Sequence, residues 1–122
     1  MIECKAALVI EDDPDLAMIY ALAVERAGFE VQKALDGNLA RQLLHDCLPK
    51  LVVLDLHLVG VSGIELLHEI RRTPELQETT VVIATADPLL ANLYQDAADF
   101  VLIKPISYSQ LNQLAVRLLT DR

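Results

Sequence analysis

Short runs of this chain are apolar at every position, among them AALVI (Ala6–Ile10), LVVL (Leu51–Leu54) and VVIA (Val81–Ala84). A strand with one solvated face alternates apolar and polar residues, so unbroken runs of this length call for strands covered on both sides. FEVQKA (29–34) and DFVLIKP (99–105) read as two further strands, and TTVVIATA (79–86) extends the fourth. Each strand is followed by a segment whose apolar residues recur at helical spacing. Asp13 before Pro14 starts the first helix, which carries Leu16, Ile19, Tyr20, Ala23, Val24 and Ala27 and ends at Gly28. Asp36-Gly37 reads as a turn, and Leu39, Leu43, Leu44 and Cys47 then share one face of a second helix that Pro49 stops. Ser62 caps a third helix with Ile64, Leu67 and Ile70 inward, Asp87-Pro88 opens a short fourth, and Ser107 caps a fifth with Leu111, Leu114, Ala115, Leu118 and Leu119 on its stripe. Five apolar strands alternating with five helices imply an α/β fold: a doubly wound, three-layer sandwich around a five-stranded parallel sheet.

A length of 122 residues is enough for one domain and one core. The net charge of −8 argues against direct binding to nucleic acid or to an anionic membrane surface. No run approaches a membrane span, and MIECKAALVIEDD lacks the basic start of a signal peptide, so a cytoplasmic location is expected. Cys4 and Cys47 show neither metal nor redox spacing and are read as buried, reduced thiols. His45, His57 and His68 are scattered, with no pair at ligand spacing.

In open α/β sheets the functional crevice lies beyond the carboxyl ends of the strands. Here the first strand ends in Glu11, Asp12 and Asp13, the third at Asp55, the fourth at Thr85 and the fifth at Lys104. Each has a plain structural use: Asp13 as a helix cap, Asp55 as a turn cap, Thr85 as a β-branched strand residue, Lys104 as a solvated strand end. Asp13 is assigned to the cap. The others fall at one edge of one sheet, and that convergence favours a site. Clustered carboxylates repel one another, and Lys104 alone does not balance Glu11, Asp12 and Asp55. An oxygen-only donor set without a Cys or His cluster favours Mg²⁺, which keeps several waters and accepts phosphate oxygens.

The ordered set EDD, LVVLDLHLVGVSG, ATA and KP resembles the receiver domain of bacterial two-component response regulators. The resemblance covers essentially the whole chain, so residues 1–122 are read as one receiver domain of flavodoxin-like strand order 2-1-3-4-5. It implies that Asp55 accepts phosphate from a sensor histidine kinase or phosphotransfer protein. Asp12 and Asp55 then match carboxylate ligands of Mg²⁺, the backbone carbonyl of His57 a third, and Glu11 a ligand acting through water. Thr85 matches the hydroxyl that bonds the phosphoryl group, and Lys104 the ammonium that pairs with it. The implied role is signalling by a phosphoacceptor, not turnover of a substrate, with an output domain or downstream protein as the second partner. A homodimer is left open.

Three departures stand out. Val59 occupies a position where the family commonly has proline. The stretch from Thr85 to Lys104 is short by somewhat less than a helical turn, so the fourth helix should be short or irregular. Val101 stands where the switch aromatic commonly sits, and Phe100 beside it should face the other way along the strand. The output surface is expected on the fourth helix, fifth strand and fifth helix, where Leu89, Leu90, Leu93, Tyr94 and Tyr108 lie. Three other functions are open to such a fold. A dehalogenase-like phosphatase wants an aspartate where His57 stands. A flavodoxin-like cofactor binder wants a phosphate loop where the acidic EDDPDL stands. A receiver-like interaction module regulated without phosphorylation would not need so complete an acidic pocket.

Overall fold

A computed structural model describes residues 6–58 and 60–120; the readings placed on Cys4 and Val59 lie outside them. Strands β1 (Ala6–Ile10), β2 (Glu30–Ala34), β3 (Leu51–Leu54), β4 (Thr80–Thr85) and β5 (Phe100–Ile103) form one parallel sheet in the order β2-β1-β3-β4-β5. Helices α1 (Pro14–Ala27), α2 (Gly37–Cys47), α3 (Gly63–Arg72), α4 (Pro88–Tyr94) and α5 (Tyr108–Thr120) connect and follow them. This is the doubly wound sandwich expected. None of the described helices is long and apolar enough to cross a membrane.

The unbroken apolar runs divide strictly between two cores. From β1, Leu8 and Ile10 pack with Val52 and Leu54 of β3 and Val81 and Ile83 of β4 beneath α2 and α3. The intervening residues Ala7, Val9, Leu51, Val53, Val82 and Ala84 pack on the other side against Tyr20, Ala23 and Val24 of α1 and Leu111 and Ala115 of α5. Both faces of the three inner strands are therefore out of water, which is what makes alternation unnecessary there. The outer strands differ. β2 is largely exposed, and Phe100 and Ile103 of β5 are 36% and 42% exposed, because an edge strand has a neighbour on one side only.

The helix starts follow their capping residues. Asp13 Oδ1 accepts from the N–H groups of Asp15 and Leu16, and Ser62 Oγ from that of Glu65. Gly28, at φ 121°, closes α1 in a conformation that a side chain would oppose. Some expectations need correction. Asp36-Gly37 is not a free turn: Asp36 caps α2 and Gly37 is its first residue. Leu39 and Ile19, placed on apolar faces, are 40% and 39% exposed, at the margins of faces narrower than their apolar pattern. Cys47 is half-buried, its thiol donating to Gln32 Oε1 at 3.3 Å. The fourth helix is indeed short, ending at Tyr94 and passing into a 3₁₀ turn at Gln95–Ala97.

Gly63 fixes the approach of α3 to the sheet edge. A Cβ there would lie 2.2 Å from the backbone oxygen of Asp55 and 2.6 Å from Leu56 Cα, and backbone does not move aside as a side-chain tip does. Gly63→Ala should therefore lower unfolding free energy by about 1–3 kcal/mol, the usual range for overpacking, despite alanine's better helix propensity. Urea denaturation checks this; an unchanged or raised midpoint would show that the contact is not tight.

Candidate functional site

The residues that follow β1, β3 and β5 are held by continuation of the strand ladder. The Glu11 N–H donates to Ala34 O at 3.1 Å, that of Asp55 to Ile10 O at 3.0 Å, and that of Lys104 to Thr85 O at 2.8 Å. Three side chains from distant parts of the sequence thereby meet at one end of the sheet, their backbones fixed by hydrogen bonds the fold makes anyway.

Lys104 Nζ donates to Glu11 Oε1 at 2.7 Å and to Asp55 Oδ2 at 3.4 Å. Both carboxylates are buried, Glu11 at 2% exposure and Asp55 at 4%. Their remaining oxygens also have donors: the Asp13 N–H reaches Glu11 Oε2 at 3.2 Å and the His57 N–H reaches Asp55 Oδ1 at 3.0 Å. Asp12 is half-exposed, and carboxylate oxygens of Glu11, Asp12 and Asp55 lie within 4.8 Å of one another. Burial lifts the Glu11 carboxyl above the usual carboxylate value, against the opposing hydrogen bond from Lys104 and with help from the charge of Asp55. For Lys104 burial acts downward, but the Glu11 hydrogen bond and the Asp55 and Glu11 charges outweigh it, and its ammonium stays protonated above the ordinary lysine value.

Three carboxylates facing one ammonium leave a deficit of positive charge. The donor set is all oxygen and partly open through Asp12, so the cluster is able to coordinate a divalent cation. His57 contributes its backbone to this neighbourhood, while its imidazole is exposed and lies 3.8 Å from Asp87 Oδ2.

Thr85, fully buried at the end of β4, turns its Oγ1 toward the Asp87 N–H at 3.1 Å. Val101 is not part of the carboxylate cluster. It pairs in register with Ile83 and packs in the core beneath α2 and α3, while Phe100, in register with Val82, belongs to the opposite sheet face as strand alternation requires. Asp13 is a cap and takes no further part beyond its N–H.

Asp87 joins the neighbourhood of the site, and Tyr20 lies in the core near it. Asp87 was read only as a helix opener; its place two residues after Thr85 is the spacing of a hydroxyl–backbone turn and is the signal that was available. Tyr20 lies fully buried in α1, its phenol lifted first by burial and acted on by Lys104, Glu11 and Asp55. Nothing in helical periodicity distinguishes such a residue from ordinary core.

Comparison with known proteins gives a consistent picture. The sequence matches the family described as response regulator receiver domain over residues 7–116. It is 36% identical over 107 residues to the phosphate regulon transcriptional regulatory protein PhoB of Rhizobium meliloti, covering 84% of this chain and 47% of that protein. To the DNA-binding dual master transcriptional regulator RpaA of Synechocystis it is 32% identical over 107 residues, covering 85% and 44%. The chain thus spans about half the length of these two curated relatives. Among solved structures, the signal receiver domain of a DNA-binding response regulator from Colwellia psychrerythraea superposes with a TM-score of 0.82 at 26% identity, covering 96% of this chain and 98% of that one.

If the cluster binds a divalent cation, the cation stabilises the folded chain by mass action. At tenfold excess over its dissociation constant Mg²⁺ should add on the order of 1 kcal/mol. Asp12→Asn should remove most of that gain while leaving the metal-free protein at least as stable, since one of three repelling charges is gone. Thermal melts with Mg²⁺ and with EDTA measure both effects. Equal Mg²⁺ gains in the two proteins would place the ion elsewhere.

Proposed function

The chain belongs to the response regulator receiver domain family, and from that membership we propose that Asp55 is its phosphoacceptor, charged by a sensor histidine kinase or phosphotransfer protein. The observation that carries this is the buried contact of Lys104 with both Glu11 and Asp55 beside Asp12. The cluster is complete, which favours phosphorylation over an interaction module that works without it.

In the proposed reaction a carboxylate oxygen of Asp55 forms a bond to phosphorus as the bond from phosphorus to the donor's nitrogen breaks, giving an acyl phosphate. Transfer through a loose transition state needs alignment and charge neutralisation more than covalent assistance. The His57 N–H fixes the orientation of the Asp55 carboxylate through Oδ1. Lys104, already at Oδ2, neutralises charge on the incoming group. Thr85 offers its hydroxyl to a phosphoryl oxygen. Asp12, Asp55 and the backbone carbonyl of His57 would hold Mg²⁺, with Glu11 acting through water; when bound, the ion supplies charge neutralisation and aligns the phosphoryl oxygens.

We assign residues 1–122 to one receiver domain. Its output surface, on this reading, is formed by α4, β5 and α5 and presents a downstream domain or protein with a changed face once Asp55 carries roughly −1.5 to −2 charge. Leu89 and Leu93, at 66% and 62% exposure, are the most exposed of the large apolar residues there, while Leu90, Tyr94 and Tyr108 are half-buried against the cores.

Incubation with acetyl phosphate and Mg²⁺ should give a single phosphoryl adduct by intact mass, absent from Asp55→Asn and reduced by EDTA. An adduct that persists in Asp55→Asn would remove Asp55 from this role.

A further inference from the structure

Val101 leaves open how a charge placed on Asp55 reaches the surface. Its side chain is aliphatic, half-buried and packed in the core beside Ile83, with no polar group to sense a hydroxyl and no ring to swing into or out of solvent. A different residue touches all the parts that must communicate. The Asp87 N–H donates to Thr85 Oγ1 at 3.1 Å. Asp87 Oδ1 accepts from the N–H groups of Leu89 at 2.9 Å and Leu90 at 3.4 Å, capping α4. Asp87 Oδ2 lies 3.8 Å from Nε2 of His57, on the loop that follows Asp55.

The helix that Asp87 caps is poorly anchored. α4 has seven residues, and Ala91 is its one buried residue. A helix of two turns does not sustain itself in water, because nucleation is costly and few hydrogen bonds follow it. Its first turn depends on the cap, and the cap depends on where the Asp87 backbone stands.

We infer that Asp87 is the coupling residue of this chain, joining the state of Thr85 to the first turn of α4. The inference rests on the proposed phosphorylation of Asp55. When Thr85 turns its hydroxyl to a phosphoryl oxygen it changes rotamer, and staggered wells lie about 120° apart, which carries Oγ1 away from the Asp87 N–H. The freed turn shifts, the Oδ1 cap on Leu89 and Leu90 is reset, and the surface bearing Leu89 and Leu93 changes with it. The element with two states is thus the capped first turn of α4, biased by Thr85. Val101 is a bystander.

Amide NMR spectra with acetyl phosphate and Mg²⁺, with intact mass taken on the same samples, test the chain of contacts. Wild type and Val101→Ala should form the adduct and show shifts across Leu89, Leu90 and Ala91. Asp87→Ala should form the adduct with those shifts cut at least threefold, and Asp87→Asn, which caps as well as aspartate, should restore them. Undiminished shifts in Asp87→Ala, or their loss in Val101→Ala, would overturn the inference; absence of adduct in wild type would overturn the phosphorylation reading instead. The near-isosteric Thr85→Val tests the same tie without phosphate and guards against failure of Asp87→Ala to fold. Its Leu89 and Leu90 amides should move toward their phosphorylated positions, and unmoved amides would refute the coupling.

Discussion

An ammonium group set between two carboxylates at the rim of a parallel sheet holds this structure's chemistry in place. Glu11 and Asp55 are almost fully buried, and an ionised carboxylate so placed costs several kcal/mol unless a counter-charge meets it. Lys104 meets both, across sequence separations of 93 and 49 residues. That contact exists only when β1, β3, β4 and β5 lie side by side in their observed order. It does not neutralise the site, because Asp12 adds a third carboxylate to the cluster. The remaining negative charge is a local cost to stability that a divalent cation held by the three carboxylates would offset.

The pocket is positioned by its backbone. Glu11, Asp55 and Lys104 each sit one step past a strand end, where the ladder still engages the backbone N–H. Asp55 therefore ends an apolar run without sitting inside one. Gly63 brings α3 down against the Asp55 carbonyl, closing the loop that contains His57. These devices use main-chain hydrogen bonds and close packing, and neither depends on the charge state of the cluster.

Most of this was legible in the sequence where a residue's local chemistry decides its place. Unbroken apolar runs gave the doubly covered strands, Asp-Pro pairs gave two helix starts, and strand ends pointed to Glu11, Asp55 and Lys104. Exposure at the sheet edges was not legible, since FVLI of β5 reads like any inner strand and only the strand order makes it an edge. Asp36-Gly37 misled because the same dipeptide serves a turn or a capped helix start, and tertiary packing chooses between them. Asp87 was hidden for a related reason. Its capping use and its bond to Thr85 two residues earlier are local, whereas its approach to His57 requires the loops after β3 and β4 to meet.

The two ends of α4 are held very differently, and that asymmetry bears on how a local change travels. Past its C-terminal end, Arg71 of α3 donates to Ala97 O at 2.7 Å, to Thr79 O at 3.1 Å and to Asp99 Oδ2 at 3.0 Å. Asp99 Oδ2 in turn accepts the Val81 N–H at 2.8 Å, so the connection into β5 is tied to α3 and β4 together. Tyr94 adds an edge contact with His68, their ring centroids 6.1 Å apart. The N-terminal end is held by the Asp87 cap, by the hydrogen bond of the Asp87 N–H to Thr85, by the approach of Asp87 Oδ2 to His57 Nε2 and by Leu90 packing on the core. A segment pinned at one end and released at the other pivots rather than translates. If phosphorylation resets the Asp87 cap as inferred, displacement is expected to be greatest at Leu89, smaller at Leu93 and least at Ala97, where Arg71 holds the chain.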